Sequence, residues 1–471
     1  MELDQHRMPK VTNPRFRLHY HLMPPQGWMN DPNGFTYFQG YYHLFYQYHP
    51  YGVEWGPMHW GHARSRDLVH WETLPPALAP DSEADESGCF SGSAIVKDDR
   101  LFLIYTGHHV PDETHPDDFW QTQNVAVSDD GLHFYKLATN PVISTPPTDN
   151  SQHFRDPKVF ERDGQYYLTL GSQTAATKTG RALLYRSANL IDWEYQGVIT
   201  EATERSTAGF MWECPDFFRL NGQDLLVLSP QGIEATAKQN LNLYQTSYVA
   251  GQFDFQTLNY RHDELQELDH GHDFYAAQTM LAPDGRRILI GWMDMWEAEF
   301  PEQADGWAGA MTLPRELTWR HEQLYMFPVA EVRQLRTKQV LNENWQGTNR
   351  ELQVPDPQHL ELRLHANLTD WQGQQLTLRF QAGEQQLQVT YHKDDHEMVV
   401  TRAGRDAQRF AQLRPQEELD LQIWTDTSSV EIFANQGEAV FSERFYPTTS
   451  PQVTLQTDLP LAMQITGYNL Y

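Results

Sequence analysis

The sequence predicts an all-β chain, a five-bladed β-propeller followed by a C-terminal β-sandwich. Three observations lead there. A repeat recurs at roughly sixty residues through the first two thirds, close to the spacing of propeller blades. Each unit pairs two strand-like runs around a tight turn. After about residue 325 the repeat stops, and plain alternation of apolar and polar residues takes over.

The units are GFTYFQGYYHLFYQY (34–48), SGSAIVKDDRLFLIYTG (91–107), DPKVFERDGQYYLTLGS (156–172), CPDFFRLNGQDLLVLSP (214–230) and YAAQTMLAPDGRRILIGW (275–292). Asp163-Gly164, Asn221-Gly222 and Asp284-Gly285 are hairpin signals, because these residues tolerate positive φ. A short strand, a turn and an aromatic then follow in four units: HARSRDLVHW, VAVSDDGLHF, LLYRSANLIDW and LYQTSYVAGQFDF. They close at Trp71, Phe134, Trp193 and Phe255. Two features that keep one period favour a propeller over accidental periodicity. The propeller is assigned to residues 1–326. Val329, Val332 and Leu335 lie at helical spacing, which predicts a short helix within a linker at 327–349. In 350–471, Leu360, Leu362 and Leu364, then Leu376, Leu378 and Phe380, then Leu419, Leu421 and Ile423 alternate with polar residues, the pattern of sandwich strands with one wet face.

The 471 residues include 35 Lys+Arg and 63 Asp+Glu, a net charge of −28. Such a surface repels nucleic acid and anionic membranes. No apolar run is long enough to span a bilayer. The segment MELDQHRMPK lacks the apolar core of a signal peptide, and two cysteines, Cys89 and Cys214, make no disulfide framework. A cytoplasmic protein with a small-molecule partner is expected. An aromatic content of 13% suits strands, and aromatics also stack on sugar rings.

The carboxylates fall in a pattern. Asp31 lies nine residues before Gly40, Asp156 eight before Gly164 and Glu213 nine before Gly222. On that spacing they take equivalent positions at the start of the channel-lining strands of blades one, three and four. Proline supports the placement: Pro32 and Pro157 follow two of the acids and Pro215 stands two after the third. Having no N–H for a ladder, proline is confined to strand starts and edges, and it biases the preceding residue to extended geometry. Three carboxylates around one cavity suit glycosidic bond cleavage, with a protonated acid at the leaving oxygen and an ionised carboxylate at the anomeric carbon. A metal site is the other use of clustered acids. It ranks lower, because the neighbours are Trp, Phe and Asn. The clusters HWGH (59–62) and HGHD (270–273) lack the spacing of a zinc motif.

WMNDPNG (28–34), FRDPKVF (154–160) and WECPDFF (212–218) resemble the signature motifs of glycoside hydrolase family 32, the β-fructofuranosidases. FYQYHP (45–50), WGPMHWGHA (55–63), GCFSGSA (88–94), DFYAAQT (273–279) and SSVEIFAN (428–435) extend the resemblance in order along nearly the whole chain. It implies retaining hydrolysis of terminal β-D-fructofuranosides through a covalent fructosyl ester, with no metal and no cofactor. Asp31 matches the nucleophile, Glu213 the acid/base and Asp156 the transition-state stabiliser. Asn30, Gln47, Trp55, Phe90, Ser91, Arg155, Tyr275 and Trp292 match positions that contact substrate. Asn30, Gln47 and Ser91 are expected to bind furanose hydroxyls, Arg155 to pair with Asp156, and Trp55, Phe90 and Trp292 to wall the pocket. Asn30 and nearby N–H groups would keep Asp31 ionised. Trp212, Pro215 and Phe217 would surround Glu213 with apolar groups. Asp273 is expected as a fourth channel-side acid without a role, and both cysteines as small buried residues. Sucrose, sucrose 6-phosphate and short fructo-oligosaccharides are the expected substrates. Fructosyl transfer by the same nucleophile and a non-catalytic carbohydrate-binding protein are the alternatives.

Overall fold

In the computed structural model, which describes residues 3–403 and 407–471, two-residue turns set the blades. Gln39-Gly40, Asp98-Asp99, Asp163-Gly164 and Asn221-Gly222 hold both residues at positive φ, the turn whose twist matches paired strands. In blade five the turn is longer. Gly285 alone has positive φ, and its N–H donates to Ala282 O at 2.9 Å.

Blade one is Gly27–Phe38, Tyr41–His49, His59–Ser65 and Trp71–Leu78. Blade two is Gly88–Lys97, Arg100–His109, Trp120–Ser128 and Tyr135–Lys136. Blade three is Asn150–Arg162, Gln165–Thr174, Gly180–Ser187 and Glu194–Glu201. Blade four is Met211–Leu220, Gln223–Gln231, Ser247–Asp254 and Asn259–His262. Blade five is Tyr275–Leu281, Arg287–Trp292, Arg315–Arg320 and Gln323–Pro328. The repeated units thus supply the first two strands of each blade. First strands of successive blades touch around a closed ring, so they line the channel. Trp307–Ala308 pairs in parallel with Gly27 and Trp28 and ties the end of the ring to its start.

Blades one to three share a turn before the fourth strand. Ser65, Ser128 and Ser187 Oγ accept from the N–H of Asp67, Asp130 and Asn189. Those side chains accept from N–H groups two and three residues on, the local bonding that makes Asx residues turn formers. Leu68, Gly131 and Leu190 then take positive φ, and the chain delivers Trp71, Phe134 and Trp193.

The segment after the propeller departs from expectation. Val329, Val332 and Leu335 flank and enter a 3-10 helix, Ala330–Leu335, because a three-residue spacing is the period of that tighter helix. Most of the expected linker is a 17-residue strand, Arg336–Leu352, paired along its length with Gln452–Leu470. Most of its side chains are polar and at least partly exposed, which left no apolar alternation to read.

Gln452–Leu470 runs through both layers of the sandwich. Its first third pairs with Gln375–Ala382 and its last third with Leu360–Asn367, so one ten-stranded sheet is folded into two layers. Leu360, Leu362 and Leu364 meet Leu376, Leu378 and Phe380 in the core between them.

Propeller and sandwich share a second core, where Trp424, Phe433 and Val440 join Phe274, Met326 and Val329. Buried ions cross it. Arg315 donates to Asp269 at 2.7 Å and Glu431 at 2.6 Å. His21 stands between Asp426 at 2.9 Å and Glu431 at 2.7 Å. Asp273 belongs here and not to the channel: it accepts from the Arg402 side chain and from the Arg444 N–H at 2.6 Å. Both arginines lie far along the chain in the sandwich, so nothing local marked it. The histidines of the two clusters are taken up by packing: His62 meets His43 Nδ1 at 3.0 Å and His272 meets Glu443 at 2.7 Å. No helix among the described residues is long and apolar enough to cross a membrane.

Candidate active site

Every blade carries a β-bulge at the same place on its first strand. Asn30-Asp31 oppose Gln47. Ser91 is an extra residue between Phe90 and Gly92. Asp156-Pro157 oppose Leu170, Cys214-Pro215 oppose Leu228, and Ala276-Ala277 oppose Gly291. A bulge bends the strand and re-aims a side chain. Asp156, Cys214 and Ala276 hold its first position at φ 63°, 49° and 53°, a left-handed conformation that persists only where the surroundings enforce it. Pro157 and Pro215 fill the second position, where no N–H is left to pair.

The three acids do not occupy equivalent positions, contrary to the turn spacing. Glu213 precedes its bulge, Asp156 is the first residue within one, and Asp31 the second within another. A further bulge in blade one, between Asn33 and Thr36, shifts the count.

Asp31 Oδ1 accepts from Asn30 Nδ2 at 3.0 Å and Oδ2 from Ser91 Oγ at 2.7 Å. Trp28 Nε1 donates to Asn30 Oδ1 at 2.8 Å and fixes the amide. Asp156 Oδ2 accepts from the Cys214 N–H at 2.9 Å. Cys214 Sγ stands 3.7 Å from Asp31 Oδ2 and 3.6 Å from Asp156 Oδ2. Glu213 Oε1 accepts from Arg155 Nε at 2.9 Å and Nη2 at 2.8 Å. Its Oε2 accepts from Gln231 Nε2 at 2.9 Å and Tyr275 Oη at 2.5 Å. Arg155 Nη1 in turn lies 2.8 Å from His153 Nδ1. A guanidinium only donates, so that nitrogen is the acceptor.

Burial raises the pKa of Asp31, and the charge of Glu213 adds to it; Asn30 and Ser91 offset only part. Burial and the Glu213 charge likewise raise Asp156, to about 7, against the pull of Arg155. Like charges this close oppose one another's ionisation. Burial, with the charges of Asp156 and Asp31, pushes the Cys214 thiol well up, so it stays protonated.

Several expectations are corrected. Asp31 is not held at an ordinary carboxylate pKa, because burial outweighs its two donors. Arg155 bonds Glu213 and not Asp156; it sits one residue before its bulge, in register with Glu213. The surround of Glu213 is polar, and Trp212 turns away to donate to Ala208 O at 2.6 Å. Gln47 is buried and donates to Cys89 O at 3.0 Å, so it ties blade one to blade two. Asn30 and Ser91 each donate to Asp31. Trp292 is fully buried, behind Trp28 at 5.8 Å and Trp296 at 5.0 Å. It backs the pocket without lining it. Tyr275, equally buried, touches Glu213. Trp55 is 49% exposed, edge-on to Phe90 at 5.9 Å, and Phe90 stacks on His108 at 4.1 Å.

Sequence reasoning missed Gln231, His153 and the contact role of Cys214. Gln231 was nearly within reach: the Asn221-Gly222 turn alone would set it opposite Trp212, next to Glu213, and the bulge moves it opposite Met211.

Carboxylates that share one pocket and sense one another's charge are the equipment for breaking a glycosidic bond, and the chain is a glycoside hydrolase. It belongs to glycosyl hydrolase family 32, whose N-terminal domain matches residues 21–328 and C-terminal domain residues 331–458, and it hydrolyses fructosides. It is 42% identical over 437 residues to a sucrose-6-phosphate hydrolase of Escherichia coli, covering 92% of this chain and 90% of the relative. To a raffinose invertase of Escherichia coli it is 41% identical over 444 residues, 91% and 89% of the two chains. The structure of a Bombyx mori β-fructofuranosidase mutant in complex with sucrose superposes with a TM-score of 0.87 at 39% identity, over 97% of this chain and 94% of that one.

Proposed function

We propose that the enzyme hydrolyses terminal β-D-fructofuranosides with retention, with Asp31 as nucleophile, Glu213 as acid/base and Asp156 as the carboxylate that steadies the fructosyl ring. The observation that carries this is Cys214. It follows Glu213 in the chain, and its Sγ touches both aspartates, so three carboxylates border one residue. Glu213 gives its proton to the leaving oxygen while Asp31 attacks C2, forming an ester; Glu213 then takes a proton from the water that cleaves it. Asn30 and Ser91 aim the two oxygens of Asp31. Asp156, against the oxocarbenium-like centre, offsets its positive charge.

Sucrose, sucrose 6-phosphate and short fructo-oligosaccharides are the proposed substrates. The names of the relatives and the sucrose held by the Bombyx mori neighbour support a sucrose unit. Side-by-side kcat/KM on the three ranks them. Asp31→Ala is expected to lower kcat on sucrose by about 10⁴-fold or more; wild-type turnover would end the assignment. A cytoplasmic site of action fits the free thiols of Cys89 and Cys214, and hydrolysis of sucrose outside intact cells would contradict it.

A further inference from the structure

The two oxygens of Glu213 are not equivalent. Oε1 accepts twice from one guanidinium, from Arg155 Nε at 2.9 Å and Nη2 at 2.8 Å. A guanidinium donates and never accepts, so a proton on Oε1 would break one of these bonds. Oε2 meets Gln231 Nε2 at 2.9 Å and Tyr275 Oη at 2.5 Å. A phenol accepts as well as donates, so Oε2 can take a proton and keep both neighbours. Which oxygen carries the proton is thus decided by where Arg155 is held.

Glu213 does not hold Arg155 alone. Asp156 is next in the chain, and the charges of Glu213 and Asp156 both act on the guanidinium. A third contact fixes its direction: Nη1 donates to His153 Nδ1 at 2.8 Å. With Nη1 tied there, Nε and Nη2 are left for Glu213. We propose that His153 is a positioning residue for acid catalysis, which holds Arg155 on Oε1 and reserves Oε2 for the proton that goes to the leaving oxygen. This role rests on the reading of Glu213 as acid/base.

The surroundings of His153 suit that task. It stands two residues before Arg155 on the first strand of blade three, Asn150–Arg162, and alternate residues of a strand share a face. Its backbone is held without help from the ring: its N–H donates to Ser151 Oγ at 3.3 Å, and its carbonyl accepts from Asn150 Nδ2 at 2.9 Å. Among the described residues the ring makes no hydrogen bond except that to Arg155. The Phe119 ring meets it edge-on at 5.2 Å. Burial, then the charges of Arg155, Lys178 and His108, lower its pKa to about 3. Near neutral pH, Nδ1 is therefore always free to accept.

Two substrates that differ in their need for an acid test this. The leaving oxygen of sucrose needs a proton, whereas β-D-fructofuranosyl fluoride expels fluoride with little help. His153→Leu removes the acceptor and is expected to lower kcat/KM on sucrose by about 10–100-fold, the scale of a misplaced catalytic group. The loss on the fluoride is expected to be at least about fivefold smaller. The ratio of the two rates in one sample does not depend on how much of the protein is folded. His153→Asn, whose Oδ1 stands one bond from Cγ as Nδ1 does, is expected to recover most of the loss. Equal losses on both substrates, or an Asn variant as poor as the Leu variant, would overturn the proposal. Glu213→Gln is expected to show the same selectivity, and more of it. Equal losses in Glu213→Gln would end the acid reading itself, whereas selectivity there and none in His153→Leu would end only the role of His153.

Discussion

Asp156 shows what it takes to hold three carboxylates in one pocket. Its pKa is raised to about 7 by burial and by Glu213, so between its unfolded value near 4 and that point the folded protein binds a proton that the unfolded chain has released. Stability therefore falls as pH rises through the window from about 4 to 7. Asp156→Asn keeps the shape and removes the charge. The variant is expected to be more stable than wild type by about 1–3 kcal/mol at pH 8, with the gain gone by pH 4. Thermal unfolding at the two pH values checks this, and a gain of the same size at both would point to packing. Its kcat is expected to drop by about 10²–10³-fold, the scale for losing one preorganised electrostatic contact to a transition state.

The bulges are the working elements. Each displaces its strand by one residue and turns a side chain that regular pleating would direct elsewhere. Blade two depends on Gly92 for this. A Cβ there would lie 2.1 Å from Ile104 O, a backbone atom that cannot yield without opening the bulge that sets Ser91 against Asp31. Gly92→Ala is expected to lower kcat/KM at least as far as Ser91→Ala and also to lower the unfolding temperature, whereas Ser91→Ala leaves the unfolding temperature near wild type. Equal unfolding temperatures for the two variants would show that the bulge tolerates a side chain. Turns were legible in the sequence, since Asp163-Gly164 and Asn221-Gly222 carry their geometry in their own residue types. The bulges were not, because one extra residue leaves the apolar pattern of an inner strand almost unchanged.

At the scale of the whole molecule, buried ions join the propeller, the sandwich and the N-terminal segment. Burial alone would lower the pKa of His21. The hydrogen bonds and charges of Asp426 and Glu431 outweigh it and raise it to about 9. The stability contributed is therefore fully present below about pH 6.5 and lost as pH rises through 9, to a total of about 3 kcal/mol. The wild-type unfolding temperature is expected to fall between pH 7 and 10. His21→Gln should start lower and lack that fall; a profile parallel to the wild type would remove His21 as its cause.

The sequence by itself determined the number of blades, the turns that join their strands, the alternation of the sandwich and which three acids share the pocket. The turns and the alternation depend on residues within a few positions of one another, where φ preferences and period-two burial act directly, and the blades and the acids on a local pattern repeated along the chain. Only the tertiary structure decided which acid Arg155 serves, that Trp292 lies behind the pocket, that Asp273 faces Arg402 and Arg444, and that Gln231 and Tyr275 converge on Glu213. The hydrogen bonds among these join residues 18 to 171 positions apart. Their partners are chosen by the register of the bulges and the closure of the ring, neither of which leaves a local mark in the chain.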